Sequence, residues 1–184
     1  SHALSRHIEA ILALDLVDTK AIEEANLSIV VDAVNSVGGI AVPALLKALG
    51  VKQVTPLYCE PSGRFPHNPE PLPQHITALC SEVVKQNADL GIVVDPDVDR
   101  LALVSEDGEP FGEEYTLVAV ADHVLSKNPG PTVSNLSSSR ALRDVSLKAD
   151  CTYFASAVGE VNVVQKMKEV EAVIGGEGNG GIIY

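Results

Sequence analysis

The stretch "LSIVVDAVNSVGGIAVPALLKALG", residues 27–50, decides the fold. Its β-branched run, Ile29 to Val31, predicts a strand with the uninterrupted apolar character of one covered on both faces. The segment "NSVGG" at 35–39 is a turn, and the run that follows has the composition of a helix that Gly50 ends. A strand, a turn and a helix in this order form the repeating unit of an α/β protein.

The same alternation continues on both sides of this stretch. Helices are expected at 5–14 and 18–26, the second with Asp18 as its N-cap. The predicted fold class is α/β, with two consecutive layered domains and mostly parallel mixed sheets. The acidic turn at 106–110 separates a domain at 1–106 from one at 107–184. The remaining predicted strands are 52–58, 89–94, 100–106, 131–136, 151–157 and 172–176, and the remaining helices are 74–86, 113–125, 139–149 and 160–170.

The proline-rich stretch "PSGRFPHNPEPLP", residues 61–73, interrupts this alternation. Proline cannot donate to a strand ladder, so we expect an ordered loop here. We interpret His67 within it as a surface residue, with a position at the border of an active cleft as the alternative.

The chain of 184 residues is acidic, because 25 Asp and Glu against 13 Lys and Arg give a formal net charge of −12. A nucleic-acid surface needs clustered basic side chains, so we expect no nucleic-acid partner. No apolar run reaches the roughly 18–20 residues of a membrane-spanning helix, and none resembles a signal peptide. We therefore expect a cytoplasmic protein with no membrane partner. Its three cysteines lack disulfide or zinc spacing and are expected to be buried, reduced thiols.

Three aspartates, Asp95, Asp97 and Asp99, alternate in "GIVVDPDVDR" at 91–100, directly after a predicted strand. Carboxylates at alternate positions of a tight loop can converge on one point, and oxygen-only ligands suit a hard divalent cation such as Mg²⁺. The carboxyl end of a strand in an open α/β sheet is also where ligands bind. The loop therefore predicts a Mg²⁺ site, with a solvated acidic turn as the alternative.

Two known motifs share part of this aspartate pattern. An EF-hand loop also begins D-x-D-x-D, and Glu106 falls at its twelfth position, but Arg100 stands where that loop needs glycine. A phosphatase of the haloacid dehalogenase type carries D-x-D-x-[TV] after a strand, whereas Asp99 occupies the last of those positions here. The phosphatase stays an alternative function, as does a non-catalytic module that binds a metal or a sugar phosphate.

Residues 174–182, "IGGEGNGGI", form a second motif with five glycines among nine residues. Such a backbone can approach a ligand closely. Glu177 and Asn179 supply its polar side chains, and a carboxylate beside an amide suits neighbouring sugar hydroxyls. The spacing is not G-x-G-x-x-G and no helix pattern follows, so this is not a dinucleotide fingerprint. A flexible hairpin turn is the alternative.

Together, "DPDVDR" at 95–100 and "GGEGNGG" at 175–181 resemble two loops of the α-D-phosphohexomutase family. This family includes phosphoglucomutase, phosphomannomutase and phosphoglucosamine mutase. Its metal loop reads D-G-D-x-D-R, and its sugar loop reads G-E-x-S-G-H or, in one branch, G-E-G-N-G-G. The segments at 30–39, 65–71 and 156–167 extend the resemblance over nearly the whole chain. Members of the family have four domains, and by this resemblance the chain corresponds to the second domain and most of the third.

The resemblance implies a Mg²⁺-dependent enzyme that acts on a hexose phosphate. Such an enzyme moves phosphate between positions 1 and 6 of the hexose through an enzyme phosphoserine and a bisphosphate intermediate. Bound Mg²⁺ neutralises charge on the transferring phosphoryl group. By this resemblance the metal ligands are Asp95, Asp97 and Asp99, and the substrate-binding residues are Arg100 for phosphate and Glu177, Gly178 and Asn179 for the sugar.

The sequence departs from the family pattern in several places. Pro96 replaces a glycine of the metal loop, and Gly181 stands where many relatives have His, which leaves the general acid or base unidentified. The family's T-A-S-H-N-P phosphoserine loop and R-x-S-G-T phosphate clamp are absent, so no catalytic serine is assigned and Ser137 to Ser139 are interpreted as a helix N-cap run. We expect an inactive piece of a longer protein, whose incomplete third domain favours homo-oligomers through an exposed sheet edge.

Overall fold

The computed structural model describes residues 2–184 and divides the chain into two units. Unit 1 comprises the residues up to Val98 together with Ala102–Pro110, and unit 2 comprises Asp99–Leu101 and Phe111–Tyr184. Each has helices and a four-stranded sheet of its own, so the predicted α/β fold class is confirmed. No helix among the described residues is both long and apolar enough to cross a membrane.

The first sheet has the strand order β2-β1-β3-β4. β1 pairs in parallel with both β2 and β3. The short connection between β3 and β4 cannot hold the crossover that parallel neighbours need, so the sheet is mixed. The elements up to this point are α1 (His2–Leu12), α2 (Thr19–Ala25), β1 (Ser28–Asp32), α3 (Gly38–Ala48), β2 (Gln53–Leu57), α4 (Thr77–Gln86), β3 (Leu90–Val94) and β4 (Leu101–Ser105).

Strand β1 is covered on both faces, as its apolar run predicts. Val30 belongs to a buried cluster that includes Leu79 and Val83 of α4. Its neighbours Ile29 and Val31 belong to a second cluster, which includes Leu46 of α3. Because successive side chains of a strand point to opposite faces, α4 covers one face of the sheet and α3 the other.

The second sheet has the order β6-β5-β7-β8. β5 pairs in parallel with β6 and β7, and β8 returns antiparallel to β7. All four residues of β5 are buried, and buried apolar side chains of the flanking helices, such as Leu117 and Val163, complete the core. The elements are α5 (Glu113–Lys127), β5 (Thr132–Asn135), α6 (Ala141–Lys148), β6 (Tyr153–Ser156), α7 (Glu160–Val170), β7 (Ile174–Glu177) and β8 (Gly181–Ile183).

The structure bears on the predicted N-cap of α2 and on the predicted state of the three cysteines. Asp18 is the N-cap of α2, and its Oδ1 accepts a hydrogen bond of 2.9 Å from the Ala21 N–H, as predicted. Cys59, Cys80 and Cys151 are free thiols, but each is partly rather than fully buried.

Candidate functional site

The three aspartates follow the carboxyl end of β3. Asp95 is 7% exposed, whereas Asp97 and Asp99 are exposed. One carboxylate oxygen from each lies within 4.8 Å of the other two. Asp32 ends the neighbouring parallel strand β1. The aspartate loop thus lies at the carboxyl ends of the parallel strands, where ligands of open α/β sheets bind.

The donor set of this cluster fits Mg²⁺. Ligand oxygens about 2.1 Å from an octahedral ion lie roughly 3.0 Å apart when adjacent and roughly 4.2 Å apart when opposite, so coordination would draw the three carboxylates closer together, and two of them are on exposed side chains. Without a cation, each pair of carboxylates at such separations repels by about 1 kcal/mol in water. A divalent ion held by these three residues would offset this repulsion.

Backbone contacts hold the loop in shape. The Ser36 hydroxyl donates a short hydrogen bond to the Pro96 carbonyl, which joins the loop to the turn after β1. The Val98 N–H donates to the Asp95 carbonyl at 3.2 Å, and Val98 adopts a left-handed conformation with φ of 66°. A glycine accepts this conformation more readily than a valine, so the turn carries some backbone strain.

Arg100 follows the aspartates directly. Its Nε lies 3.9 Å from Asp99 Oδ1, and both side chains are well exposed. An exposed pair at this distance contributes little to stability. A guanidinium has the planar donor geometry that binds phosphate oxygens in pairs, and this is the chemistry that Arg100 offers beside the aspartates.

Glu177 ends β7, and Gly178 to Gly180 turn the chain into β8. The Glu177 Oε1 atom accepts hydrogen bonds from the Gly159 N–H at 2.9 Å and, at short range, from Asn135 Nδ2. Asn179 Nδ2 lies 3.5 Å from the other oxygen, Oε2. Gly180 has φ of 92°, and a Cβ there would lie 2.5 Å from the Leu101 carbonyl oxygen, so this turn requires glycine. The loop is thus an ordered hairpin.

Asn135 and Ser138 belong to this site and were missed in the sequence. Ser138 Oγ accepts from the Gly178 N–H at 2.9 Å and donates to Asn135 Oδ1 at 2.7 Å. The N-cap interpretation of these serines is wrong: Arg140 is the N-cap of α6, and among the described residues no side chain caps that helix end. Ser139 Oγ only accepts a local bond from the Ala141 N–H at 3.3 Å, and Ser138 faces the glycine-rich loop. Their position directly after a predicted strand was the signal that the sequence offered.

His67 and Asp32 form a largely buried polar pair that joins the proline-rich loop to β1. His67 Nε2 lies 3.0 Å from Asp32 Oδ2, and the two side chains are 14% and 0% exposed. The interpretation of His67 as a surface residue is therefore wrong. Burial raises the pKa of Asp32, although a hydrogen bond from the Val34 N–H and the charge of His67 oppose the rise.

Comparisons with known proteins give a consistent family. The profile described as "Phosphoglucomutase/phosphomannomutase, alpha/beta/alpha domain II" matches residues 5–108, and that of domain III matches residues 112–184. A phosphoglucomutase/phosphomannomutase from Thermococcus kodakarensis is 34% identical over 97% of this chain. A phosphoglucosamine mutase from Sulfurovum sp. is 34% identical over 90% of the chain.

A solved structure agrees with these sequences. A phosphoglucomutase/phosphomannomutase family protein from Burkholderia thailandensis superposes with a TM-score of 0.80 and 29% identity over 90% of this chain. The chain spans 39%, 37% and 38% of the lengths of these three relatives, respectively. On the sequence matches and on the two α/β units, the chain belongs to the phosphoglucomutase/phosphomannomutase family, of which it carries domains II and III.

Proposed function

We propose that this chain supplies the metal-binding loop and the sugar-binding loop of a Mg²⁺-dependent phosphohexomutase. The observation that carries the proposal is the placement of three carboxylate oxygens within 4.8 Å of one another at the carboxyl end of β3. The reaction is transfer of a phosphoryl group between the 1 and 6 oxygens of a hexose phosphate. The substrates we propose are the phosphates of glucose, mannose or glucosamine.

In this proposal Asp95, Asp97 and Asp99 hold the ion, which when bound withdraws charge from the transferring phosphoryl group. Asp95 is the anchor of the three, because it alone is buried and is thus fixed by its surroundings. Arg100 donates to a phosphate oxygen. These side chains orient the phosphate so that little rearrangement accompanies the transfer.

Glu177 binds the sugar, with Asn179 beside it and with the Gly178 backbone close to the ring. The carboxylate accepts hydrogen bonds from adjacent hydroxyls, and the Asn179 amide can both donate and accept. The phosphoryl donor in this reaction is a phosphoserine that the 184 residues do not contain, because no T-A-S-H-N-P loop occurs among them. The chain alone is therefore expected to bind ligands but to interconvert no hexose phosphates.

Binding and turnover measurements on the 184-residue chain test the two parts of this proposal separately. Titration with glucose 1-phosphate in the presence of Mg²⁺ should shift the amide NMR signals of Gly178 and Asn179. Glu177→Gln should abolish that response, whereas Glu169→Gln, which removes the same charge from an exposed ion pair on α7, should not. If Glu177→Gln still bound the sugar phosphate, the proposed role of Glu177 in sugar binding would be refuted. If the chain interconverted hexose phosphates faster than buffer alone, the proposal that it lacks the phosphoryl donor would be refuted.

A further inference from the structure

Asn135 is buried at the carboxyl end of β5, with 2% of its surface exposed. It lies beside Glu177, since the parallel register pairs Ser134 with Gly176 one residue earlier in each strand. Its side-chain amide donates to Glu177 Oε1. Asn135 is therefore a buried residue that contacts the carboxylate of Glu177, although it lies outside the glycine-rich motif at 174–182.

The amide orientation of Asn135 follows from its partners. Its Oδ1 accepts from the Ser138 N–H at 2.9 Å, and the hydroxyls of Ser137 and Ser138 lie 3.0 and 2.7 Å away. The Ser138 N–H can only donate, so the carbonyl oxygen of the amide must face it. The NH₂ group consequently faces Glu177, whose carboxylate can only accept when ionised.

Four residues form a closed ring of hydrogen bonds around the loop. Asn135 donates to Glu177, Gly178 follows Glu177 in the chain, the Gly178 N–H donates to Ser138, and Ser138 donates back to Asn135. The Gly159 N–H, after β6, adds a second donor to the same Oε1 atom. Carboxyl ends of three neighbouring parallel strands thus fix one oxygen of Glu177.

The other oxygen, Oε2, is differently placed. Asn179 Nδ2 lies 3.5 Å from it, a distance at which a hydrogen bond is weak. Oε1 has two donors from the protein, so Oε2 is the oxygen with acceptor capacity left for a ligand hydroxyl.

We propose that Asn135 is the positioning residue of Glu177: it occupies Oε1 and thereby directs Oε2 toward the sugar hydroxyls. This role rests on the proposed function of Glu177 in sugar binding. It also specifies an amide rather than an acid at position 135. Aspartate would still accept from Ser138 but would place a second negative charge against Glu177, and alanine would remove both ends of the bridge.

The test compares Asn135→Asp and Asn135→Ala with Thr132→Val in the 184-residue chain. Thr132 is a matched control, because it is buried in the same strand and bonded to Ser146 at 2.6 Å, at the opposite end from Glu177. The first readouts are the ¹³C signal of the Glu177 carboxylate and the hydrogen exchange of the Gly159 amide. Both should change in the two Asn135 variants, with exchange about tenfold faster or more, and stay unchanged in Thr132→Val.

The second readout is the affinity for glucose 1-phosphate, followed at the Gly178 and Asn179 amides. Loss of a hydrogen bond to a charged group predicts about tenfold weaker binding in both Asn135 variants and a near-parental value in Thr132→Val. Parental exchange and parental affinity in Asn135→Asp would overturn the positioning role. If the parent chain itself shows no response to the sugar phosphate, the proposed function of the loop is overturned, whereas the carboxylate signal and amide exchange still decide whether Asn135 holds Glu177.

Discussion

Asp32→Ala removes a fully buried carboxylate that has two hydrogen-bond partners, the Val34 N–H at 2.9 Å and His67 Nε2 at 3.0 Å. The other ring nitrogen of His67 faces the Asn68 carbonyl at 2.7 Å. Both neighbouring oxygens accept, so the arrangement requires either a proton on each ring nitrogen or a proton on Asp32. The pair anchors the proline-rich loop to the end of β1.

The cost of the change follows from the groups left without an acceptor. An unsatisfied buried polar group costs about 1–3 kcal/mol, and two such groups, the Val34 N–H and His67 Nε2, lose their partner in Asp32→Ala. Because His67 keeps some access to water, we expect a loss of about 3 kcal/mol in the free energy of unfolding of unit 1. Asp32→Asn should cost only about 1 kcal/mol, since an amide can accept from Val34 and donate to an unprotonated His67 Nε2.

Native-state hydrogen exchange resolves this change within the two-unit chain. A single melting curve does not define one free energy for two units, so the amides of β1 report on unit 1 and those of β5 serve as the internal reference. Asp89→Ala is the matched control, because Asp89 accepts from the Ser28 N–H at the other end of β1 but is exposed. A loss no greater than that of Asp89→Ala, or an equal loss in Asp32→Asn, would refute the reasoning.

The pH dependence of the same pair has a definite sign. Burial raises the pKa of Asp32 above its ordinary value of 3.8, so the folded chain holds this proton more tightly than the unfolded chain. The stability that this group contributes is therefore present below pH 3.8 and is lost as pH rises through the folded-state pKa. Asp32→Asn has no group that titrates here. The difference in free energy of unfolding between Asp32→Asn and the parent should therefore shift in favour of the variant as pH rises from 3.8 through the folded-state pKa of Asp32. A constant difference would contradict the shift.

Two further changes test the packing and the helix signals. In Gly39→Ala the new Cβ would lie 2.2 Å from the Cys59 carbonyl oxygen, so hydrogen exchange of the β1 amides should show a loss of roughly 1–3 kcal/mol in the stability of unit 1, and unchanged exchange would contradict the predicted clash. Asp18→Ala removes the N-cap of α2 and should cost about 1 kcal/mol, seen as faster exchange of the Ala21 amide; unchanged exchange would show that the cap contributes nothing.

Local patterns were sufficient for most of the elements. The apolar run Ile29 to Val31 predicts a doubly covered strand, and the structure buries all three residues. The helix predicted at 160–170 is α7, with the same bounds. Signals of this kind depend on the order of side chains along a few turns, which the sequence displays directly.

Contacts between distant segments could not be predicted in the same way. Asn135 and Glu177 are 42 residues apart, and Asp32 and His67 are 35 apart. Such partners become neighbours only through the strand order β6-β5-β7 or through the course of the proline-rich loop, neither of which a local pattern contains. The sequence alone therefore predicts a surface position for His67 and gives no signal for the contact of Asn135 with Glu177. The ligand roles of the site residues stay predictions.

The central claim is that Asp95, Asp97 and Asp99 bind a divalent ion, and titration of the isotopically labelled chain with Mn²⁺ in competition with Mg²⁺ tests it most directly. The account predicts saturable paramagnetic broadening centred on the amides of residues 95–100, reversed by Mg²⁺ and lost in Asp97→Asn. The charge-matched variant Asp122→Asn, which alters an exposed acid on α5, should behave as the parent. Broadening that is spread over other acidic surfaces, or that persists unchanged in Asp97→Asn, would contradict the claim.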